Sequence, residues 1–292
     1  MTRGYLFVLV AAVLWGCIGP VAKVALNAGM APAELAFYRT VFGWVLFAAH
    51  AVFTGKARLR RADAPMVMAF GIFAVAGLFG SYAVAVREGG AALASVLLYT
   101  APAWVAVLSR LLLKEPMRGF TLVAVGMTIV GVAGVSGLPQ VLAGGGAQYG
   151  PLAVVFGLLS GLTYALYHIF GKFFQSRCET PTVFLYAMPV GAVTLLPFFE
   201  FSRPSLTALA ACAILAVFCT YAAYSIYYAG LRYLETTRAA VTATLEPVVA
   251  AVLAYLWYDE RFTLSGYLGG ALILLAVLCT IWESMRQQRR SP

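Results

Sequence analysis

The chain has 292 residues, of which 62% are hydrophobic and 11% are charged, and its formal net charge is +9. Soluble domains carry about 45–50% apolar and about 25% charged residues, so this composition excludes a soluble globular fold. The basic residues lie in short segments between apolar runs, which disfavours a nucleic-acid-binding face and instead predicts a membrane protein.

Ten apolar runs follow one another along the chain, each close to the roughly 20 residues that span a bilayer. They cover approximately residues 5–26, 34–53, 65–86, 90–112, 119–138, 150–171, 181–200, 205–230, 237–258 and 264–284. The segments between the runs are too short to fold as soluble domains. Strands of a membrane barrel would be about half as long and would alternate apolar with polar residues. The runs therefore predict an all-α integral membrane protein with ten transmembrane helices.

The distribution of Lys and Arg predicts the orientation of these helices, because cytoplasmic loops carry an excess of both residue types. With the N-terminus placed in the cytoplasm, fifteen of the 20 basic residues fall on the cytoplasmic side. Three fall outside, or five when Lys23 and Arg39, which flank the first external loop, are counted there. Both termini are therefore predicted to be cytoplasmic.

The two halves of the chain resemble each other. A shift of 145 positions places Pro102 on Pro247 and Glu115 on Glu260, and the segment 14–23 resembles the one that lies 149 positions later. Each half then holds five spans, and an odd number of spans makes the second copy enter the membrane in the opposite orientation. Inverted repeats are typical of transporters that alternate access about a central site.

Three stretches carry a family resemblance. The sequence LEPVVAAVLAYLWYDERFTLSGYLGGALILLAV (245–277) resembles the second repeat of the EamA-type drug/metabolite transporter superfamily, and YTAPAWVAVLSRLLLKEPMRGFTLVAVGMTIVGV (99–132) resembles the first. The segment ELAFYRTVFGWVLF (34–47) is similar to the second helix of that family. The resemblance covers nearly the whole chain, and the many aromatic residues favour the subgroup of bacterial aromatic amino-acid exporters.

This resemblance implies a fold of ten transmembrane helices arranged as two inverted five-helix repeats around a central cavity. The first, third, fourth, sixth, eighth and ninth helices would line the cavity, and the fifth and tenth would pack outside it. The expected division is a first repeat over 1–138, an external linker over 139–149, a second repeat over 150–284 and a cytoplasmic tail over 285–292.

Glu246 lies several residues inside an apolar run, where a charge costs about 2.5–3.5 kcal/mol on insertion scales. Two interpretations are open. In the first, Glu246 lines the substrate cavity near a substrate amine or a gate. In the second, the hydroxyls of Thr242 and Thr244 satisfy a buried acid at a kink that Pro247 imposes. The first repeat has Ala101 at the equivalent position, so any role of this acid is not duplicated.

Aromatic residues lie well inside the spans that would line the cavity, whereas Tyr and Trp normally gather at the membrane interfaces. Aromatic faces edged with hydroxyls suit flat amphipathic solutes through stacking and cation–π contacts, and helix packing alone is the alternative role. Besides Glu246, the candidate substrate-cavity residues are Trp15, Tyr82, Tyr99, Trp104, Tyr164, His168, Tyr224 and Tyr227.

Four further residues are candidates for gating or structure. Arg39 lies five residues from Glu34, so an ion pair between them and a lock that holds one access state are alternative roles. Pro102 and Pro247 are expected to interrupt their helices, because proline has no N–H to donate. The sequence shows no clustered pattern of metal-ligating residues, so neither a metal nor a cofactor is expected.

The sequence therefore predicts a secondary transporter that exports small amphipathic metabolites, such as aromatic amino acids, by alternating access. Drugs, quaternary amines and nucleosides are alternative solutes. An integral-membrane enzyme is disfavoured because no HExxH, nucleophile-elbow or Walker A motif occurs, and a channel because one chain lacks symmetric pore rings. The expected partners are a small-molecule substrate and the lipid bilayer, and no nucleic acid is expected. The expected location is a bacterial inner membrane, and the protein is expected to be a monomer.

Overall fold

The computed structural model describes residues 2–144, 150–198, 203–259 and 263–290, with side chains except at 140, 141 and 287–290. Every regular element within these residues is a helix. In chain order the apolar helices are α1 (Thr2–Asn27), α2 (Pro32–Phe53), α3 (Ala64–Leu98), α4 (Ala101–Leu113), α5 (Gly119–Val135), α6 (Pro151–Phe174), α7 (Thr180–Leu195), α8 (Leu206–Leu231), α9 (Thr236–Tyr258) and α10 (Leu264–Arg290). A short helix (Leu138–Ala143) follows α5, and a 3₁₀ turn (Leu196–Phe198) follows α7.

Seven of these described helices are long and apolar enough to cross a membrane, and α4, α5 and α7 are shorter apolar helices. Many large apolar side chains point outward, among them Phe53, Leu206 and Leu264. Such a surface is costly in water, and it matches a protein whose outer solvent is lipid. Parts of the predicted linker (145–149) and tail (291–292), together with Glu260, lie outside the described residues.

The helices begin and end within a few residues of the predicted runs, apart from the fourth run (90–112). The first residues of that run still belong to α3, and the helix α3 is interrupted at Gly90 (φ 78°, ψ 164°). Glycine reaches this conformation without a Cβ clash, so Gly90 separates the third predicted span from the fourth. A second interruption at Tyr99 and Thr100 divides the fourth span, because Pro102 has no N–H to continue the helical pattern.

The interruptions recur at the interval found in the sequence. α9 is interrupted after Ala243, which the shift between the repeats places on Leu98, the residue before the interruption in the first half. α4 and α9 are each followed by a residue in the left-handed conformation, Lys114 (φ 57°) and Asp259 (φ 51°), and the same shift relates these two residues. The same backbone geometry is therefore repeated in the two halves.

Two of the three π-helical segments in the described residues follow the same rule, whereas Ser109–Leu113 at the end of α4 has no π-helical counterpart in α9. A π-helical segment covers Phe70–Ala76 in α3, and another covers Leu215–Ala222 in α8. The shift that superposes Pro102 on Pro247 also superposes the first residues of these two segments. A π-helical turn shifts the backbone hydrogen-bonding register by one residue, and such turns are frequent at functional sites.

Helices of the first half pack against helices of the second. α1 packs against α8, α2 against α7, α3 against α6, and α5 against α10. The two halves are thus interleaved rather than set side by side. α4 touches both α6 and α9, so the interrupted helices of the two halves meet inside the molecule.

The α5–α10 contact depends on glycine. A Cβ added at Gly269 would lie 2.3 Å from the Gly131 carbonyl oxygen, and one added at Gly134 would lie 2.5 Å from the Ser265 carbonyl oxygen. The two backbones approach so closely because these positions have no side chain, as is common for helices packed in a membrane.

Candidate functional site

A row of aromatic rings begins at Trp15 on α1. The Trp15 ring centroid lies 5.3 Å from that of Tyr224 and 5.1 Å from that of Tyr227, both on α8. Tyr224 in turn stacks on Tyr167 of α6 at 5.3 Å with an interplanar angle of 17°. All four rings are buried, so helices of both halves meet here through aromatic faces.

The row continues toward Glu246. His168 Nδ1 and the Tyr227 hydroxyl are 2.5 Å apart, and the His168 ring lies 5.2 Å from that of Tyr164. The Tyr164 hydroxyl donates a hydrogen bond to Glu246 Oε2 at 3.3 Å, and Tyr99 also interacts with this carboxyl group. The rings therefore end on a half-buried acid.

Glu246 owes its position to the interruption of α9. It is the first residue of the helical stretch that resumes after the break, and Pro247 follows it. The hydroxyls of Thr242 and Thr244, which the sequence offered as partners, donate instead to carbonyl groups of their own helix. The acid thus interacts with tyrosines from α6 and from the end of α3, not with its neighbours in sequence.

A small cavity adjoins this acid. Its lining residues are Tyr99, Ala101, Pro102, Tyr164, His168, Ala240, Ala243 and Thr244. Its volume of about 10 Å³ is enough for roughly one water molecule. The aromatic rings are therefore packed together, and this cavity does not contain a solute-sized space.

Arg39 is held by the π-helical segment of α8. Its Nε donates to Thr220 Oγ1 at 2.7 Å, and its Nη2 donates to the Cys219 carbonyl oxygen at 3.1 Å. The shifted register of a π-helical turn leaves a carbonyl oxygen open to a side-chain donor. These hydrogen bonds lead from Arg39 to α8 rather than to Glu34, and they satisfy a cation that is only 9% exposed.

Three other candidates are held by contacts outside the row. Glu34 Oε2 accepts a hydrogen bond from the Ala31 N–H at 3.1 Å, which satisfies a donor at the start of α2. The Tyr82 hydroxyl lies 3.3 Å from Ser95 Oγ within the interrupted α3. Trp104 packs with apolar side chains between α4, α6 and α9.

A larger cavity, of about 250 Å³, lies near the beginning of α9. It is lined by Lys172, Arg232, Tyr233, Leu234, Glu235 and Arg238. Three of these residues are basic and one is acidic, so the cavity offers a positively charged wall. Among the residues that the structure describes, no group of three or more His, Cys, Asp or Glu side chains is arranged to hold a metal ion.

Comparison with known proteins decides the family. The EamA-like transporter family matches residues 2–137 and 151–282, which is most of the chain. The chain belongs to the EamA-like transporter family. Its relatives in that family are named as transporters, and the apolar helices agree with those names, so it is a multi-pass membrane protein.

Three relatives of this EamA-like chain are named as transporters or exporters. An uncharacterized transporter of Archaeoglobus fulgidus is 29% identical over 68% of this chain and 70% of its own length. The uncharacterized inner membrane transporter YicL of Salmonella typhimurium is 25% identical over 98% of both chains. A probable terminal-alkyne amino-acid exporter of Streptantibioticus cattleyicolor is 26% identical over 96% of this chain and 93% of its own length.

A crystal structure of another protein superposes on this EamA-like chain with a TM-score of 0.83. The superposition covers 98% of this chain and 99% of that one at 17% sequence identity. Identity this low establishes similarity of the fold alone.

The structure brings seven of the nine predicted cavity residues into one continuous row. These are Trp15, Tyr99, Tyr164, His168, Tyr224, Tyr227 and Glu246. The sequence does not indicate the partners of Arg39, since the π-helical register that exposes the Cys219 carbonyl has no known signature in sequence. It also leaves Glu115 without a partner, although the duplication singles that residue out.

Proposed function

We propose that the protein is a secondary transporter that exports small amphipathic solutes, first among them amino acids with aromatic side chains. The row of rings that ends on the Glu246 carboxylate carries this proposal. Aromatic faces stack on a flat solute, and a carboxylate pairs with an ammonium group, so the two features together match an aromatic amino acid. The amino-acid exporter among the relatives supports the same solute class.

The small cavity supports alternating access, in which the site is exposed to one side at a time. With room for about one water molecule beside Glu246, the described arrangement is the packed one. A solute can enter only when rings such as Tyr164 and Tyr99 separate. Rocking of one half against the other would separate them, because the row draws its rings from both halves.

Matched contacts support two repeats related by a pseudo-twofold axis. Gly43 of α2 packs against Thr220 in the π-helical segment of α8, and Gly191 of α7 packs against Val75 in that of α3. The shift of 145 relates Val75 to Thr220. Gly43 and Gly191 lie 148 residues apart, close to the shift of 149 that relates segment 14–23 to its copy. Exchanging the two halves of the chain therefore turns one contact into an equivalent contact, as expected for halves related by a pseudo-twofold axis.

The proposed architecture is ten transmembrane helices in two inverted five-helix repeats, over 1–138 and 150–284, joined by an external linker. The two segments that match the family support this division. The excess of Lys and Arg on one side supports cytoplasmic termini in a bacterial inner membrane. We propose further that the protein acts as a monomer.

Counterflow in proteoliposomes tests the function. Vesicles that contain the purified protein and are loaded with unlabelled phenylalanine, tyrosine or tryptophan should accumulate the labelled amino acid from outside. Drugs, quaternary amines and nucleosides are the competing solutes in the same assay. If no aromatic amino acid is exchanged and none competes with an exchanged solute, the proposed solute class is wrong.

Replacing Glu246 by Gln tests the role of the acid. The amide keeps the size of the side chain but removes the charge that would pair with an ammonium group or carry a proton. We expect counterflow of aromatic amino acids to fall at least tenfold, the order of magnitude for one lost charged contact. Glu179→Gln is the matched control, because that carboxylate pairs with Lys56 and Arg232 and is not a candidate site residue. Undiminished proton-dependent flux in Glu246→Gln would exclude Glu246 as a coupling site.

A further inference from the structure

The larger cavity and Glu246 lie at different depths along the same helix. Arg238, near the beginning of α9, lines the larger cavity, and Ala240 and Thr244 line the water-sized one. Glu246 follows, about 12 Å beyond Arg238 at 1.5 Å per residue. α9 therefore runs from the larger cavity past the small one to the acid. The surface where α4 meets α9 is here called the α4–α9 seam.

Glu115 lies at the end of the α4–α9 seam that is farther from Glu246, here called its outer end whatever its side of the membrane. It lies just beyond α4, and its Oε2 accepts a hydrogen bond from the Thr236 N–H at 2.7 Å while its Oε1 accepts one from Thr236 Oγ1 at 2.8 Å. Thr236 is the first residue of α9, so a carboxylate from the first half caps a helix of the second. Both oxygens of one side chain thus tie the two halves together.

A second polar contact lies directly inside the first. Ser109 Oγ of α4 and Thr237 Oγ1 of α9 are 3.0 Å apart and buried. Arg118, in the loop after α4, adds an ion pair to Glu235 at 3.6 Å. The outer end of the α4–α9 seam is therefore held by polar groups, which can exchange their partners for water when the helices part.

An apolar layer lies between these polar contacts and the small cavity, and it shares the wall of that cavity at Ala101 and Ala240. It consists of Ala101, Val105, Ala165, Ile169 and Ala240, with Trp104, Leu108 and Leu113 packed against them. Aliphatic contacts in a membrane protein have little hydrophobic driving force to hold them together, because lipid is as apolar as the side chains. The directional contacts beside this layer are the hydrogen bonds at Glu115 and Ser109 described above.

We propose that Glu115 is a gating residue whose bonds to Thr236 hold the outer end of the α4–α9 seam shut. Release of these bonds opens a path from the larger cavity, through the apolar layer, to the row of rings and Glu246. The role in transport rests on the proposed function, whereas the closure is a property of the fold that can be measured without any solute. Glu115 acts through helix position and does not touch the solute.

Chemical labelling measures the closure. Ala240 is buried in the small cavity, so a cysteine there reports on the path; the five native cysteines are first replaced by alanine. A water-soluble methanethiosulfonate should modify Ala240→Cys slowly in the parent chain. Adding Glu115→Ala should raise the rate at least tenfold, the order of magnitude for the loss of a charged hydrogen bond.

Two control variants and one further test variant complete the labelling experiment. Thr236→Ser keeps both donors to Glu115 and should label like the parent chain. Thr236→Val loses the hydroxyl donor and should label faster, and it carries the test if Glu115→Ala does not fold. Glu179→Gln removes an equally charged side chain that pairs with Lys56 and Arg232 elsewhere, and it should not change the rate. An unchanged rate in folded Glu115→Ala and Thr236→Val would overturn the proposal.

A reversible disulfide between α4 and α9 tests whether transport requires the α4–α9 seam to open. The oxygens of Ser109 and Thr237 are close enough for a disulfide in the double variant Ser109→Cys/Thr237→Cys. Oxidation should stop counterflow, and reduction should restore it. If labelling responds to Glu115 but no solute is exchanged by any variant, the gate stands and the proposed function fails. If the oxidised double variant still exchanges solute, the seam is not the path and the proposal is wrong.

Discussion

Ionisable side chains inside the molecule are held by partners from distant parts of the chain. Glu246 accepts a hydrogen bond from Tyr164, 82 residues away, and Arg39 donates to Thr220, 181 residues away. The sequence could single out both ionisable residues, because a charge in an apolar run is rare and costly. It could not give their partners, because a tertiary hydrogen bond leaves no local pattern.

The hydrogen bond from Arg39 to Thr220 predicts a large effect for a small substitution. Thr220→Val keeps the shape of the side chain but takes an acceptor from a buried cation, so we expect a loss of about 1.5–3 kcal/mol in unfolding free energy. Thr128→Val is the matched control, because the buried Thr128 hydroxyl bonds to a carbonyl of its own helix. Unfolding in mixed detergent micelles measures both, and equal losses would contradict this role for Thr220.

At the scale of the helix, apolar runs and prolines predicted most elements, since a span needs both length and apolarity. The exceptions have physical reasons. Gly90 interrupts a stretch that composition alone leaves continuous, and the π-helical segments of α3 and α8 depend on packing rather than on local propensity. The duplication did anticipate the interruption of α9, since Pro102 and Pro247 are equivalent in the two repeats and each follows a break.

Two neighbouring glycines of α10 test the close helix contact. Gly269→Ala places a methyl group 2.3 Å from the Gly131 carbonyl oxygen, so we expect α5 and α10 to separate at a cost of about 1–3 kcal/mol. Gly270→Ala meets nothing within 4 Å and should be neutral or stabilise the helix by about 0.5–1 kcal/mol. Thermal unfolding in detergent compares the two. A similar change in both variants would show that α5 and α10 can shift at no cost.

At the scale of the whole molecule, interleaving of the halves brings residues of both repeats into the same polar contacts. Glu115 bonds Thr236 across the halves, and Tyr99 of the first half interacts with Glu246 of the second. The sequence predicted the number of apolar runs and their duplication. It could not predict which helices pair, because lipid-facing and protein-facing sides of such helices are equally apolar.

The proposed orientation is testable with single cysteines in a chain that lacks the native ones. Arg58→Cys and Ala31→Cys are both exposed positions in loops at opposite ends of α2. An impermeant maleimide should label Arg58→Cys only in inside-out vesicles and Ala31→Cys only in right-side-out vesicles, because Lys and Arg concentrate on the cytoplasmic side. Labelling in the reverse pattern would place the termini outside.

The water-sized cavity has a consequence for the cell that makes this protein. A space for about one water molecule, lined by aromatic rings and bounded by an aliphatic layer, is a poor path for an ion, since an ion crossing it would give up its hydration shell for apolar walls. Along the proposed path, the packed arrangement of the described residues therefore opposes the leak of ions. Under the proposed function, many copies in one membrane would therefore leave the membrane potential of the cell intact.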